Sequence, residues 1–213
     1  MPLDALLEQG RYVVFDVETT GFGRDARIVE IAAVRLEGWE PVEEWQTLID
    51  PGIPIPWMAS KVHRIENAMV ADAPSFSQVC ASFLHLLRDA VLVGHNIFTF
   101  DVPVLQRHLG EVFGVSPRLM AIDTLPLARQ MYRLGSHKLS ALAEHLRIPL
   151  TAHQAMSDVY ATSELWLRMC ERLLQRGCKR VGDVEHWRAL RCVDGPELPI
   201  YAEAPKERLW PRR

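Results

Sequence analysis

Acidic side chains at three separated points of the chain could together bind divalent cations. Asp16 and Glu18 lie in VVFDVETTG, at the end of the first apolar stretch, and Asp101 ends the segment GHNIFTFD. A third segment, HQAMSD, supplies His153 and Asp158. Carboxylates at strand ends and helix starts can converge in a compact α/β domain, where they form the oxygen-rich site that divalent cations and phosphate chemistry require. We therefore expect these five residues to meet in one pocket.

The first pair of acids shares one face of its strand. Side chains alternate along a strand, so Asp16 and Glu18 point one way while Phe15 and Val17 pack on the other side. Two neighbouring carboxylates repel each other unless a cation lies between them. Acids at a strand end often simply face water, but here residues 19–21 (TTG) follow at once, with two hydroxyl groups and a glycine that lets another backbone approach. The combination favours a binding site.

The other two motifs have structural alternatives of their own. His153 and Asp158 are five positions apart, which on one continuous helix would separate them by about 140°. We therefore predict that His153 precedes a helix and that Asp158 lies in its first turns. A surface His–Asp pair is the simpler alternative. Asp101 should open a helix, where a carboxylate also interacts favourably with the helix dipole.

The hydrophobic pattern predicts the elements that must position these residues. Residues 11–18 are β-branched and aromatic, which indicates a buried strand. Residues 27–36 and 43–49 predict two more strands, so the chain opens as an antiparallel meander. The proline-rich connection DPGIPIPW is expected to be irregular. Helices are expected at 75–88, 101–109, 124–133, 138–146 and 155–175, and strands at 90–94 and 119–122. This order indicates a mixed sheet flanked by helices.

Bulk composition is that of an ordinary globular protein. With 213 residues, 48% hydrophobic and 24% charged, the chain is expected to form one α/β domain over residues 1–177. Residues 178–213 are expected to form an extension that is packed on the domain or partly ordered. The four cysteines lack the spacing of a zinc site. No apolar run is long enough for a membrane span, and acids occupy the start where a secretory signal would be basic, so we expect a cytoplasmic protein.

Net charge argues against general polyanion binding. The chain carries a net charge of −3, whereas proteins that rely on phosphate contacts usually present a basic face. The balance is uneven, because residues 168–213 hold eleven Lys/Arg against seven Asp/Glu. A solvated helix face with a fraying tail, or a contact with nucleic acid or a partner, would each account for that excess.

The three motifs, in their order, resemble those of a known enzyme family. FDVETTG, GHNIFTFDVPVL and HQAMSD resemble the three motifs of the DEDDh 3′–5′ exonucleases, the family of the epsilon proofreading subunit of bacterial replicative DNA polymerase and of ribonuclease T. The resemblance runs from about residue 11 to about residue 172 and includes VHRI around His63 and IDTLPLAR around Asp123. The family's five catalytic positions fall on Asp16, Glu18, Asp101, His153 and Asp158.

The chain departs from the family pattern in two places. The second motif has one more residue between the His95-Asn96 pair and Asp101 than the common form, so the backbone is expected to bulge there. The region after Gly177 does not resemble the polymerase-tethering tail of the epsilon subunit.

The resemblance implies an RNase H-like fold, with a five-stranded mixed sheet whose first three strands are antiparallel and with helices on both sides. It also implies two Mg²⁺ or Mn²⁺ ions, about 4 Å apart, at the scissile phosphate. Asp16 would contact both ions, Glu18 and Asp158 would complete the ligands of the first, and Asp101 would hold the second. His153 would act as general base on the attacking water, since its reference pKa is about 6.5.

Substrate contacts are implied in the same way. The TTG turn is expected to meet the 3′ hydroxyl and sugar of the last nucleotide. Phe22 is expected to stack on or wedge beside the last base, with a local cover over the turn as its alternative role. The residues expected to bind substrate are Thr19, Thr20, Gly21, Phe22, His63 and Asn96.

The expected activity is 3′–5′ exonucleolytic hydrolysis of single-stranded DNA or frayed duplex ends, releasing nucleoside monophosphates in repair, proofreading or turnover. RNA trimming, as by ribonuclease T or oligoribonuclease, is the alternative, because the site chemistry is indifferent to the 2′ hydroxyl. A non-catalytic binding or scaffold module is a third reading, although such a module would usually have lost one of the five positions. DNA is the expected partner, and a DNA polymerase or a repair complex is a candidate.

Overall fold

The computed structural model describes residues 2–23, 25–193 and 195. Its centre is a mixed sheet of six strands in the order β3-β2-β1-β4-β5-β6. The strands are β1 Arg11–Thr19, β2 Ile28–Glu37, β3 Glu40–Leu48, β4 Val91–Gly94, β5 Leu119–Asp123 and β6 Leu190–Val193. β1 to β3 form the predicted antiparallel meander, and β4 and β5 run parallel to β1.

Within the described residues, seven α-helices connect and cover the strands. They are α1 Trp57–His63, α2 Asn67–Val70, α3 Phe76–Leu86, α4 Asp101–Phe113, α5 Thr124–Met131, α6 Leu139–Leu146 and α7 Ala155–Gln175. The predicted helices correspond to α3 through α7. The short helices α1 and α2 follow the proline-rich connection and were not expected from the sequence. No helix among the described residues combines the length and the hydropathy that a membrane crossing needs.

Alternating side chains of the central strands build a core on each face of the sheet. Tyr12 and Val14 of β1 pack with α5, α6 and α7 on one face. Val13, Phe15 and Val17 pack with α3 and α4 on the other. Continuing this alternation, Asp16 and Glu18 project on the α7 face, beyond the last apolar side chain of that row. The strand therefore places Asp16 and Glu18 near the start of α7.

The sixth strand corrects the expected five-stranded sheet. Leu190–Val193 pairs antiparallel with β5, and Ala189 accepts a hydrogen bond from the Asp123 N–H (2.8 Å). Before this strand, a 3₁₀ helix at Val181–Trp187 buries Val181 and Val184 in the core on the α7 face. The four-residue strand has no apolar alternation of its own, since its two central residues are exposed. The strand forms because the free edge of β5 supplies backbone partners, which the hydrophobic pattern could not reveal.

β1 continues past the end of its parallel neighbour. The β1/β4 pairing covers only Tyr12 to Val14, while β1 runs on to Thr19. Gly94 ends β4 close to β1, where a Cβ atom would lie 3.2 Å from the Phe15 carbonyl oxygen. Residues 95–100 then turn away from the sheet. The last residues of β1 therefore have no strand neighbour on the β4 side. This leaves a crevice at the carboxyl end of the sheet.

Candidate active site

The first strand and the last helix bring three of the predicted residues together. One possible ligand atom from each of Glu18, His153 and Asp158 lies within 4.8 Å of the others. The backbone N–H of His153 donates to Oδ2 of Asp158 (2.9 Å). This contact ties the loop before α7 to the first turn of that helix.

His153 precedes the helix, as predicted, and Asp158 lies in its first turns. α7 begins at Ala155, and His153 has a left-handed backbone conformation with φ of 63°. The left-handed residue turns the chain into the helix and leaves the imidazole exposed to solvent. A ring in this place can reach a water molecule held above the carboxylates.

Asp101 fills the crevice beside the unpaired end of β1. It is buried as the first residue of α4, and its carboxylate accepts hydrogen bonds from the backbone N–H groups of Val17 and of Asp101 itself. Burial nevertheless raises its pKa to about 7, because desolvation outweighs those two hydrogen bonds. The end of β1 therefore provides both Asp16 and a backbone donor that fixes Asp101.

The acids disfavour one another's ionisation. Burial is the main cause of a strongly raised pKa at Asp16, and the carboxylates of Asp101, Glu18 and Asp158 raise it further. Burial, with Asp158 next in size, raises the pKa of Glu18 to about 8. Burial also raises the pKa of Asp158, against a smaller lowering effect of His153. These mutual effects show that the four predicted carboxyl groups lie in one cluster.

The cluster has the composition of a divalent-cation site. None of the residues that shift these four pKa values within the described chain is a lysine or an arginine. Buried carboxylates that face one another without a cationic side chain are costly unless a cation neutralises them. Oxygen ligands suit hard cations such as Mg²⁺ and Mn²⁺, so the residues present fit the expected ions.

A fifth acid, Glu30, adjoins the cluster and was missed in the sequence. Glu30 on β2 pairs directly with Glu18 on β1, and its carboxylate raises the pKa of both Asp16 and Glu18. Gln46 on β3 donates to its Oε1 (2.7 Å). A signal was available, because Glu30 interrupts the otherwise apolar run IVEIAAV. That Glu30 lies opposite Glu18 follows only from the register of β1 and β2.

Residues 13–166 match the sequence model of a family described as "Exonuclease". The chain belongs to this exonuclease family. The predictions of an exonuclease family and of a nuclease enzyme are thereby confirmed.

Curated relatives include both large polymerases and a subunit of similar size. A DNA polymerase III PolC-type from Caldanaerobacter subterraneus subsp. tengcongensis is 36% identical over 196 residues, which cover 91% of this chain and 14% of the relative. A DNA polymerase III subunit epsilon from Aquifex aeolicus is 32% identical over 173 residues, covering 80% of this chain and 85% of the relative. The chain thus spans about a seventh of the length of the PolC-type relatives, 14% and 13% in two cases.

Solved structures of exonucleases share the fold. Exonuclease X, in complex with 5′ overhanging duplex DNA, is 27% identical with a TM-score of 0.60, covering 78% of this chain and 93% of that one. E. coli Exonuclease I, in complex with a dT13 oligonucleotide, has a TM-score of 0.68 at 20% identity, covering 79% of this chain and 43% of that one. The α/β fold with a mixed sheet is confirmed.

In this exonuclease the loop before Asp101 is organised by a buried residue of the IDTLPLAR segment. The Asp123 carboxylate accepts hydrogen bonds from the N–H groups of Asn96 (2.8 Å), Phe98 (3.2 Å) and Leu125 (2.9 Å). It therefore caps α5 and holds the loop that carries the extra residue. Asn96, predicted to bind substrate, is exposed with φ of 65°, and its backbone serves this loop.

The TTG turn after β1 is internally bonded. The Thr19 hydroxyl donates to the Gly21 carbonyl oxygen (2.8 Å), and the Thr20 hydroxyl accepts from the Arg27 N–H (2.9 Å). Both threonines are buried, whereas Phe22 is 86% exposed. The Phe22 ring lies 5.5 Å from that of Phe100, the residue before Asp101. The turn therefore presents an exposed aromatic surface beside the acid cluster.

His63 lies near Thr19 and His153, and its buried Nε2 is the donor of interest. Its Nδ1 accepts from the Ile65 N–H (3.0 Å), so its proton is on Nε2. That buried Nε2 has no hydrogen-bond partner among the described residues. Burial lowers the pKa of His63, a weak backbone contact with Thr19 raises it by less, and the ring of His153 lowers it further. A neutral, buried donor next to the TTG turn is suited to a ligand that brings an acceptor.

Proposed function

We propose that this protein is a metal-dependent 3′–5′ exonuclease that hydrolyses the last phosphodiester bond of single-stranded or frayed DNA and releases nucleoside monophosphates. The observation that supports this proposal best is the convergence of Asp16, Glu18, Asp101 and Asp158 in one partly buried cluster beside an exposed imidazole. Such a cluster has little structural value without cations, because each carboxylate raises the cost of ionising the others.

The four carboxylates would hold two Mg²⁺ or Mn²⁺ ions. When bound, such ions polarise the phosphate, activate a water molecule and stabilise the leaving 3′ oxygen. The protein's own part is to keep the ligands apart and oriented. The N–H of His153 fixes Asp158, and the N–H of Val17 fixes Asp101.

His153 would accept the proton of the attacking water. Its side chain is exposed and reaches the same small volume as Glu18 and Asp158. A general base contributes when its pKa is near the working pH and it lies within hydrogen-bond reach of the water. The position of His153 just before α7, with its backbone N–H bonded to Asp158, satisfies the positional requirement.

The 3′ nucleotide would lie between the aromatic pair and His63. Phe22 and Phe100 offer a surface on which the last base can stack. The Nε2–H of His63, which has no regular hydrogen bond among the described residues, would donate to the substrate, and the backbone of residues 19–21 would contact the terminal sugar. Thr19 and Thr20 would act mainly by shaping this turn, because their hydroxyl groups are bonded within it.

We take DNA as the substrate because Exonuclease X, which is 27% identical, was solved in complex with duplex DNA that has a 5′ overhang. We extend the proposal to a polymerase partner on the basis of the PolC-type and epsilon relatives. Residues 1–177 would form the catalytic unit. The described part of the extension adds β6 to the β5 edge of the sheet, where β4 and β5 separate it from β1.

The test is a direct assay of the full chain. Single-stranded DNA, duplex DNA and RNA oligonucleotides labelled at the 5′ end are incubated in Mg²⁺, Mn²⁺ or EDTA. We expect a ladder shortening from the 3′ end, with mononucleotide products, on single-stranded DNA and only with a cation. Asp158→Asn should abolish the ladder while leaving the melting temperature in EDTA unchanged or higher. Faster trimming of RNA would favour the exoribonuclease, and activity in EDTA would contradict the proposal.

A further inference from the structure

An exposed aromatic and cationic stripe runs along α1 toward the site. Trp57 is 68% exposed, and the ammonium group of Lys61 lies 5.0 Å from the centre of its ring. Arg64 follows at the helix end. Positions 57 and 61 are spaced i and i+4, so these two side chains share one side of the helix, and Arg64 is the left-handed residue that ends it.

The two cations on this stripe have no acidic partner among the described residues. Neither Lys61 nor Arg64 forms an ion pair within the part of the chain that the structure describes. α1 has no acid in its first turn. The exposed tryptophan and the two cations therefore form a local basic and aromatic surface on a chain of net charge −3. Alternating aromatic and basic side chains are the pattern that binds single-stranded nucleic acid.

The end of the stripe at Arg64 opens onto a groove beside the acid cluster. Arg64 lines a groove of about 1360 Å³ together with His63, Glu30 and Gln154. His63 ends α1 next to the TTG turn, and Gln154 directly follows His153. From Trp57 to His63 the helix rises about 9 Å, which equals roughly three stacked nucleotides at about 3.4 Å each. A strand with its 3′ end at the carboxylates can therefore reach Trp57 with its upstream part.

We propose that Trp57, Lys61 and Arg64 form a track for the single-stranded DNA upstream of the scissile bond. The Trp57 ring would stack on a base about three nucleotides before the 3′ end, and the two cations would contact phosphates on either side. This inference rests on the proposed function. It adds a second binding site, separate from the site of the terminal nucleotide, that only longer substrates can reach.

The test compares substrate lengths in the full chain. KM and kcat are measured for dT2 and dT8 with wild type, Trp57→Ala and Met58→Ala. Met58 is the matched control, because it is 67% exposed on the same helix but lies outside the stripe. We expect Trp57→Ala to raise KM for dT8 about 10-fold, as loss of one stacked base predicts, with kcat and the dT2 reaction unchanged. Met58→Ala should match wild type on both substrates.

Lys61→Gln and Arg64→Gln give a second readout. Each should reduce the slope of log(1/KM) for dT8 against log salt concentration by about 0.7, the value for one lost phosphate contact on a single strand. Equal KM values of Trp57→Ala and Met58→Ala on dT8, with an active wild type, would overturn the track. A wild type inactive on both substrates would instead overturn the proposed function, so the two failures are distinguishable.

Discussion

Glu18 and Glu30 lie directly opposite each other on β1 and β2, with their side chains on the same face of the sheet. Like charges at such paired positions destabilise an antiparallel ladder. Glu30 is held in place by Gln46 of β3, and it raises the pKa of Glu18 and Asp16. The sheet thus preserves a repulsion between the ionised carboxylates, which either protonation or a bound cation would relieve.

Glu30→Gln should raise the stability of the cation-free protein and lower the additional stability that cations provide. Above about pH 8, where Glu18 is ionised, removing the charge should stabilise the chain in EDTA by about 0.5–1 kcal/mol, because the repulsion with Glu18 is lost. It should also reduce the stabilisation that Mg²⁺ provides, because one negative charge near the ions is gone. Thermal denaturation over a Mg²⁺ series measures both effects.

Glu40→Gln is the matched control for this substitution. Glu40 also pairs with another glutamate, Glu37, but at the opposite end of the meander. Its removal should leave the Mg²⁺ response unchanged. A Mg²⁺ response of Glu30→Gln equal to wild type would show that Glu30 does not act on the cation site.

Stability of the cation-free protein should fall as the pH rises from about 5 to about 8. Glu18 has a pKa of about 8 and Asp101 of about 7 in the folded chain, both above the ordinary carboxyl values of unfolded protein. In this window the folded state binds more protons, so raising the pH favours unfolding. The loss should be on the order of a few kcal/mol.

Cations should reverse this pH dependence, because they replace the protons and bind the ionised carboxylates more tightly at higher pH. Melting temperatures measured from pH 5 to pH 9 in EDTA and in excess Mg²⁺ provide the comparison. Parallel profiles in the two conditions would contradict a cation site at these carboxylates.

His153→Asn should lower kcat by about 10²–10⁴-fold through loss of the general base. Asparagine is the better replacement than alanine, because it tolerates the left-handed backbone that His153 adopts. The backbone N–H that bonds Asp158 is retained, so cation binding and the melting temperature should change little. Mn²⁺ titration by calorimetry checks this point. A large loss of Mn²⁺ affinity would identify His153 as a ligand instead of a base.

Asp123→Ala should destabilise the protein by about 2–4 kcal/mol. Its buried carboxylate accepts three backbone hydrogen bonds, and removing it leaves the N–H groups of Asn96, Phe98 and Leu125 without acceptors. The loop before Asp101 should loosen, so kcat should fall as well. Urea denaturation and amide hydrogen exchange at residues 96–98 measure the effect, and unchanged exchange there would contradict the role given to Asp123.

The sequence by itself determined the motifs and most of the elements. The strand RYVVFDVE, with its two acids on one face, follows from side-chain alternation. The placement of His153 before the helix and Asp158 within it follows from helical periodicity, because no continuous helix could bring them together. These features depend on residues close to each other in the chain.

Only the tertiary structure decided which separate segments became neighbours. The pairing of Glu30 with Glu18 depends on register, β6 depends on an available edge of β5, and the α1 stripe depends on a short helix with little periodic signal. In each case the structure depends on a contact between residues far apart in the chain, and at least one of the two segments has little hydrophobic periodicity. Such contacts form because the rest of the fold supplies a backbone edge, an opposite carboxylate or a groove, and no local pattern of residues encodes those.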